Sequence, residues 1–438
     1  RMGGAVQSSQ DGRIIAVIGG RNYSYGNLNF ATTKQQPGSS VKPFLDYGLA
    51  FEYLDWCTGH SIMDDDAYGG KFKNWDRKFH GMVTVSNALE NSWNIPAIKT
   101  FDEVEQKVGN KKIKSAMESI GINMDGESIG LASAIGGWTN GISPLEMAST
   151  YATISNNGLY TESHTINYIE IVQTGRVYNV DEDIQDEAKQ SDYSKASAFM
   201  VREVMLDYTK NGSGNYAYLS GIDNVGAKTG TSNWASSKGN GMGGKSRDLW
   251  MTAYTPDYVC SVWMGFDKTG IDKGKTTSRY KAYPGKVVQM LLKHLQKNDS
   301  NKIYPEQPST VIKDGNEYYK KGTSHSHHAS ETTEEATEEQ TTENTDDTTS
   351  QDTGNQGTTD QGNTDQSSQN QGTSDQGNSE QGTTDQGTTN QGPTNQGTTN
   401  QGTTNQGTTN QGNTDQGTGS QGNQDSSTTP DTSQNTNQ

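Results

Sequence analysis

Ser39 and Lys42 stand three residues apart in the stretch "QQPGSSVKPF". On a helix that spacing places both side chains on one face. A serine hydroxyl is a poor nucleophile near neutral pH until something takes its proton. A lysine can do so where burial or a neighbouring cation keeps its amine neutral. A helix start adds unpaired N–H groups able to hold a developing oxyanion. A Ser and a Lys at this spacing also fit a plain solvated helix, so the reading depends on partners elsewhere.

Two candidate partners follow. Ser92 and Asn94 in "NSWN" could relay a proton and bind a substrate amide. S-x-N recurs at Ser155–Asn157 and Ser213–Asn215, so the spacing alone says little. Lys-Thr-Gly occurs at Lys228–Gly230 and at Lys268–Gly270. The first copy lies in the strand-like run "NVGAKTGTSN". There Gly230 lets a ligand backbone come close, while Lys228 and Thr231 offer a charge and a hydroxyl to a carboxylate. The second leads into a Lys-rich loop and is read as chance.

The elements that must position these groups form an ordered series. "AVQSSQDGRIIAVIGG" reads as two short strands about Asp11-Gly12. A helix is expected to begin near Ser39, with Pro43 tolerated in its first turns. "VTVSNALENS" looks helical to about Ser92, and "NKKIKSAMESIG" is a helix closed by Gly121. "SPLEMASTYATISNNG" has a capping box in Ser143 and Glu146, and "SKASAFMVREVMLDYTKNGSG" is a long helix. Three strand-like runs follow, "NVGAKTGTSN", "DLWMTAYTPD" and "YVCSVWMGFD", then a closing helix "GKVVQMLLKHLQK". Strands at both ends with helices between predict an α+β fold, its antiparallel sheet flanked by helices and interrupted by a helical subdomain.

The 438 residues divide by composition. Thr323–Gln438 holds 17 of the 52 acids, none of the 35 Lys and Arg, and only Ala329 and Ala336 among hydrophobic residues. Residues 1–322 are therefore formally neutral and form the expected folded domain. Residues 323–438 cannot offset the entropy of ordering and read as a disordered, acidic Gly/Asn/Gln/Thr-rich tail. Its five-residue repeat suits a flexible tether. His325, His327 and His328 lie in a polar linker without a fixed geometry for metal. Cys57 and Cys260 read as unpaired thiols. The chain shows no transmembrane run or signal peptide and is expected to be a fragment of a longer protein.

With S-x-x-K at a helix start, S-x-N between helices and K-T-G on a late strand, the order is that of penicillin-recognising serine enzymes. The chain resembles the transpeptidase domain of a class A high-molecular-weight penicillin-binding protein over about Gly3–Gln296. "FATTKQQPGSSVKPF", "NSWNIPA", "ASAIGGWTNGISPLEMASTYATISNNG" and "GAKTGTSN" carry the likeness. The resemblance implies the penicillin-binding/β-lactamase-like transpeptidase fold. It implies Ser39 as acylated nucleophile, Lys42 as its base and Ser92 as proton relay to the leaving amine. Asn94 would orient the substrate peptide. Lys228 and Thr231, with Thr229 and Gly230 beside them, would hold the terminal carboxylate. The N–H groups of Ser39 and Thr231 would form the oxyanion hole. No metal or cofactor is implied.

The implied partners are peptidoglycan stems ending in D-Ala-D-Ala and β-lactams, with no nucleic acid. The resemblance also implies an upstream membrane anchor and glycosyltransferase domain, contacts with other wall-synthesis proteins, and a place on the outer face of the cytoplasmic membrane. The long Gly/Asn/Gln/Thr tail suggests a Gram-positive source. Three alternatives differ in the fate of the acyl-enzyme. A β-lactamase would need a Glu after the second motif, but Glu90 overlaps that motif rather than following it, and the stretch around Glu127 offers no convincing candidate. A D,D-carboxypeptidase would use water as acceptor, and a β-lactam sensor would not turn over.

Overall fold

At Asp11-Gly12 the chain reverses, Gly12 taking φ +79°, a region open to glycine at little cost. The flanking strands are β1 (Met2–Ser8) and β2 (Ile14–Ile18). The computed structural model describes residues 1–180, 182, 188–210, 219–234, 244–266, 277–298 and 303–323. The tail from 324, with its three histidines, and the second Lys-Thr-Gly at Lys268–Gly270 lie outside these residues.

Near Ser39 the chain makes a 3-10 turn at Gly38–Val41 and a π-helical turn at Pro43–Gly48 before α1 (Leu49–Tyr53). A regular helix from Ser39 is thus not what forms. Pro43 has no N–H for the Ser39 carbonyl, and its ring crowds that carbonyl. The Lys42 N–H takes the carbonyl instead and closes a tighter turn.

β3 (Ser61–Asp64) pairs with β4 (Gly81–Thr84), which runs into α2 (Val85–Glu90). The helix expected to include Val83 starts later, because the Thr84 hydroxyl caps it by accepting the Asn87 N–H at 3.2 Å. α3 (Asn94–Glu118) is broken at Gly109, at φ 73° and ψ 160°. The expected "NKKIKSAMESIG" helix is its second half. Its first half buries Ile95, Ile98, Phe101 and Val104 at helical spacing. α4 (Pro144–Ser155) carries the expected capping box, with both Ser143–Glu146 bonds formed.

Short strands follow: β5 (Leu159–Tyr160), the exposed hairpin β6 (Tyr168–Ile171) and β7 (Arg176–Asn179), and β8 (Lys189–Gln190), which pairs with β5. After α5 (Lys195–Lys210) come β9 (Gly226–Asn233), β10 (Ser246–Tyr254) and β11 (Tyr258–Gly265). α6 (Tyr283–Asn298) and a last hairpin, β12 (Val311–Asp314) and β13 (Glu317–Lys320), complete the described chain.

The central sheet is antiparallel in the order β2-β1-β11-β10-β9. Both ends of the domain therefore build it, as the sequence predicts. β10 and β11 are buried on both faces, which takes α4 on one side and α6 on the other. Trp250 and Trp263 fill the core, and the Trp263 indole donates to Asp248 at 3.0 Å. Cys57 and Cys260 are free and buried. No helix among the described residues is long and apolar enough to cross a membrane.

Candidate active site

The turn bearing Ser39 meets β9, the edge strand of the sheet, through glycine. Gly38 takes φ +56°, and a methyl there would lie 2.5 Å from the Thr231 carbonyl oxygen. A methyl on Gly230 would overlap the Pro37 carbonyl and crowd the Ser40 hydroxyl. One on Gly136, at φ +79°, would overlap the Gly38 backbone. Three segments distant in sequence thus touch main chain to main chain. Hydrogen bonds fix the same turn. The Trp250 indole donates to the Gln36 carbonyl at 2.8 Å, and the Tyr151 hydroxyl to the Ser40 carbonyl at 2.8 Å.

Lys42 is fully buried. Its amine donates to the Ser92 carbonyl at 2.7 Å, the Trp93 carbonyl at 2.9 Å and Asn94 Oδ1 at 2.9 Å, and reaches Ser92 Oγ at 3.5 Å. Burial, and then the charge of Lys228, holds its pKa well below the lysine range; Asp46 opposes. Asp46, one turn on, is also fully buried, and both its carboxyl oxygens lack a hydrogen-bond partner. Burial pushes that carboxyl well above its usual range.

Ser92 ends α2 at φ +55°. Its N–H bonds to the Leu89 carbonyl and the Trp93 N–H to that of Ala88, which is the Schellman pattern that usually takes glycine at this position. The strained turn aims Ser92 Oγ between two amines. Lys228, also fully buried, donates to it at 2.8 Å. Burial pulls Lys228 down to about 7. Thr229 and Thr231 alternate with Lys228 and Gly230 along β9, Thr229 half-buried and Thr231 exposed. The Thr231 peptide lies against Gly38, one residue from Ser39.

All eight residues singled out by sequence therefore converge on one place: Ser39, Lys42, Ser92, Asn94, Lys228, Thr229, Gly230 and Thr231. Others there carry no motif. Asn74, from the loop between β3 and β4, caps α3, its side-chain oxygen accepting the N–H groups of Asn94 at 2.7 Å and Ile95 at 3.0 Å. The Lys73 carbonyl accepts from Asn94 Nδ2 at 2.8 Å, so the Asn94 amide is oriented from both ends. Glu127 is tied to its own loop, accepting the N–H groups of Thr139 and Asn140. No group of three or more His, Cys, Asp or Glu among the described residues could hold a metal ion.

Residues 2–283 match the penicillin binding protein transpeptidase domain. Penicillin-binding protein 1A/1B of Bacillus subtilis is 33% identical over 314 residues, 69% of this chain and 33% of that protein. Penicillin-binding protein 1A of Streptococcus oralis is 31% identical over 275 residues, 58% of this chain and 41% of its own. The chain thus spans about a third of the length of the curated relatives it matches. Among solved structures, the PonA1 protein from Mycobacterium tuberculosis in complex with penicillin V superposes with a TM-score of 0.58 at 22% identity, covering 73% of this chain and 83% of that one. Penicillin-binding protein 1A from Haemophilus influenzae gives 0.57 at 21%, covering 74% and 53%. At those identities the likeness establishes the fold.

Proposed function

Because the chain belongs to the penicillin binding protein transpeptidase family, we propose that it cross-links peptidoglycan stem peptides through a Ser39 acyl-enzyme. The observation that carries this reading is the placement of Ser92 Oγ between two buried amines, 2.8 Å from Lys228 and 3.5 Å from Lys42. Next to it, the Ser39 turn is locked against the K-T-G strand. Two buried amines and a hydroxyl bridge can move a proton from nucleophile to leaving group without water.

Lys42, its pKa depressed, acts as the neutral amine, giving up one of its three N–H bonds, and takes the Ser39 proton as Oγ bonds to the penultimate carbonyl carbon of a D-Ala-D-Ala terminus. The oxyanion faces the N–H groups of Ser39 and Thr231. As the C–N bond breaks, the proton returns through Ser92 to the departing D-Ala amine. Asn94 holds the stem's amide, and Lys228, Thr229 and Thr231 hold its carboxylate. An amine of a neighbouring stem then attacks the ester and releases Ser39. Water in its place would make the reaction a carboxypeptidase cleavage. A β-lactam enters the first half-reaction alone, because its ring amide and carboxylate copy the donor terminus.

In the whole protein this domain would act outside the cytoplasmic membrane of a Gram-positive cell. It would be tethered by an upstream anchor, coupled to a glycosyltransferase and open to other wall-synthesis proteins. Intact-protein mass after benzylpenicillin, on wild type and Ser39→Ala, tests the reading. A single stable adduct, absent from Ser39→Ala, is expected. Rapid destruction of the drug without an adduct would make the protein a β-lactamase and overturn the proposal.

A further inference from the structure

We propose that the β12–β13 hairpin is a working part of the catalytic unit and that Glu317 is a positioning residue for Ser92, acting through α2. The inference rests on the Ser92 role given above. The family match ends at residue 283, so nothing in it reaches this hairpin. The hairpin nevertheless clasps the two segments that lead from and into the site.

At one end, Lys320 pairs with Asp55 at 2.7 Å, just past α1, which continues the turn of Lys42. Next, Thr58 and Tyr318 exchange two bonds: Thr58 N–H to the Tyr318 carbonyl at 3.0 Å and Tyr318 N–H to Thr58 Oγ1 at 2.8 Å. Tyr318 is buried, with its ring edge-on to Phe199 of α5. Then comes Glu317. Its Oε2 accepts the Thr58 hydroxyl and the Ser86 hydroxyl, the latter at 3.2 Å. Ser86 is in the first turn of α2. Its N–H bonds the Thr58 carbonyl at 3.0 Å, and its one hydroxyl hydrogen is shared between that carbonyl, also at 3.0 Å, and Glu317.

α2 is six residues long and ends two residues before Ser92. Its inner side is packed through Val85, Ala88 and Leu89. Its outer side, at Ser86 and Glu90, borders a pocket of about 300 Å³ whose other walls include Asp207, Lys313 and Glu317. Hydrogen bonds rather than close packing therefore fix the helix on that side: Ser86 bonds the Thr58 carbonyl, and Glu317 joins the Thr58 and Ser86 hydroxyls. A helix of less than two turns moves as a body, so a shift at Ser86 reaches Ser92.

The test compares two leaving groups on the full chain. The amine of benzylpenicillin needs a proton through Ser92; the thiolate of a D-alanyl-type thioester donor needs none. Acylation by each is measured for wild type, Ser92→Ala, Glu317→Ala, Glu317→Gln and Ser86→Ala. Ser92→Ala sets the benchmark, with penicillin acylation slowed about 100-fold more than thioester acylation. Glu317→Ala is expected to show the same selective loss, about 10-fold, with the thioester rate within about 2-fold of wild type. Glu317→Gln, which keeps an acceptor oxygen, should restore most of it. Ser86→Ala, which removes the bond from the α2 side and should show the same selective loss, carries the comparison should Glu317→Ala not fold. Equal loss on both donors, or loss on neither, would leave the hairpin a stabilising element only and overturn the inference. A Ser92→Ala without selective loss would instead overturn the Ser92 role itself, and this inference with it.

Discussion

Around Ser39, glycines bring three backbones into contact, and the turn has no room to adjust. Around Ser92, a non-glycine residue sits in the left-handed region and is held by hydrogen bonds to two lysines. The first arrangement places an atom by steric exclusion. The second places one by electrostatics against a backbone cost of about 1–2 kcal/mol. In the proposed reaction Ser39 must meet a carbonyl carbon within tenths of an ångström, which exclusion would secure. Ser92 would pass a proton between groups, and a hydrogen-bonded hydroxyl can turn to do so.

The sharpest way to break this contrast is Gly230→Ala. The added methyl meets the Pro37 carbonyl, a main-chain atom that cannot yield. Acylation by benzylpenicillin should fall at least about 100-fold and unfolding free energy by about 1–3 kcal/mol, read by stopped-flow acylation and urea denaturation. Activity near wild type would show that the Ser39 turn is softer than its contacts imply.

The electrostatic side has a pH signature. With Lys228 at about 7, capture of a carboxylate donor should weaken as pH rises through about 7, giving the alkaline limb of the acylation profile. Lys228→Arg keeps its charge and should push that limb out of range, with a rate reduced about 10-fold or more by the altered geometry. Stability moves with the opposite slope. An unfolded lysine titrates near about 10.4, so between about 7 and about 10.4 the unfolded chain binds more protons and stability rises with pH. Lys228→Met should therefore melt higher than wild type near pH 7, with the gap closing toward pH 10; a pH-independent gap would count against the depressed amine.

The backbone cost at Ser92 is isolated by two variants that both lack the hydroxyl. Ser92→Gly should be more stable than Ser92→Ala by about 1 kcal/mol, because only glycine accepts φ +55° freely. Equal stabilities would mean that the turn stores no strain. The smallest effect is expected at Tyr151→Phe, which removes one of the bonds on the Ser39 turn. About 1 kcal/mol of stability and no more than a few-fold in acylation should go with it, since the glycine contacts still hold the turn.

Much of this was legible before the fold. Dipeptide Asp11-Gly12, the Ser143–Glu146 capping box and the late strands are local signals, and each predicted its element. The expected regular helix at Ser39 failed for a reason also local, the missing N–H and ring of Pro43. The first half of α3 has its own apolar period, but its cap comes from Asn74, twenty residues back, with no trace in the helix's own start. The β12–β13 hairpin has a local signal too, Asp314-Gly315 between Val311-Ile312 and Tyr318-Tyr319. What no local signal shows is its partners, Thr58, Ser86 and Phe199.

The chemistry of the site follows the same division. Residue types, their order and the family resemblance they carry singled out which serines, lysines and threonines to expect together; each motif alone would also fit a plain helix or strand. Which K-T-G faces Ser39, and that Ser92 stands between two amines, were decided by the sheet and the turn of α2. So was the depression of both lysines. A pKa depends on the loss of water and on neighbouring charge, and a serine's orientation on its backbone torsion. Both are set by the packing of segments that the chain itself keeps far apart.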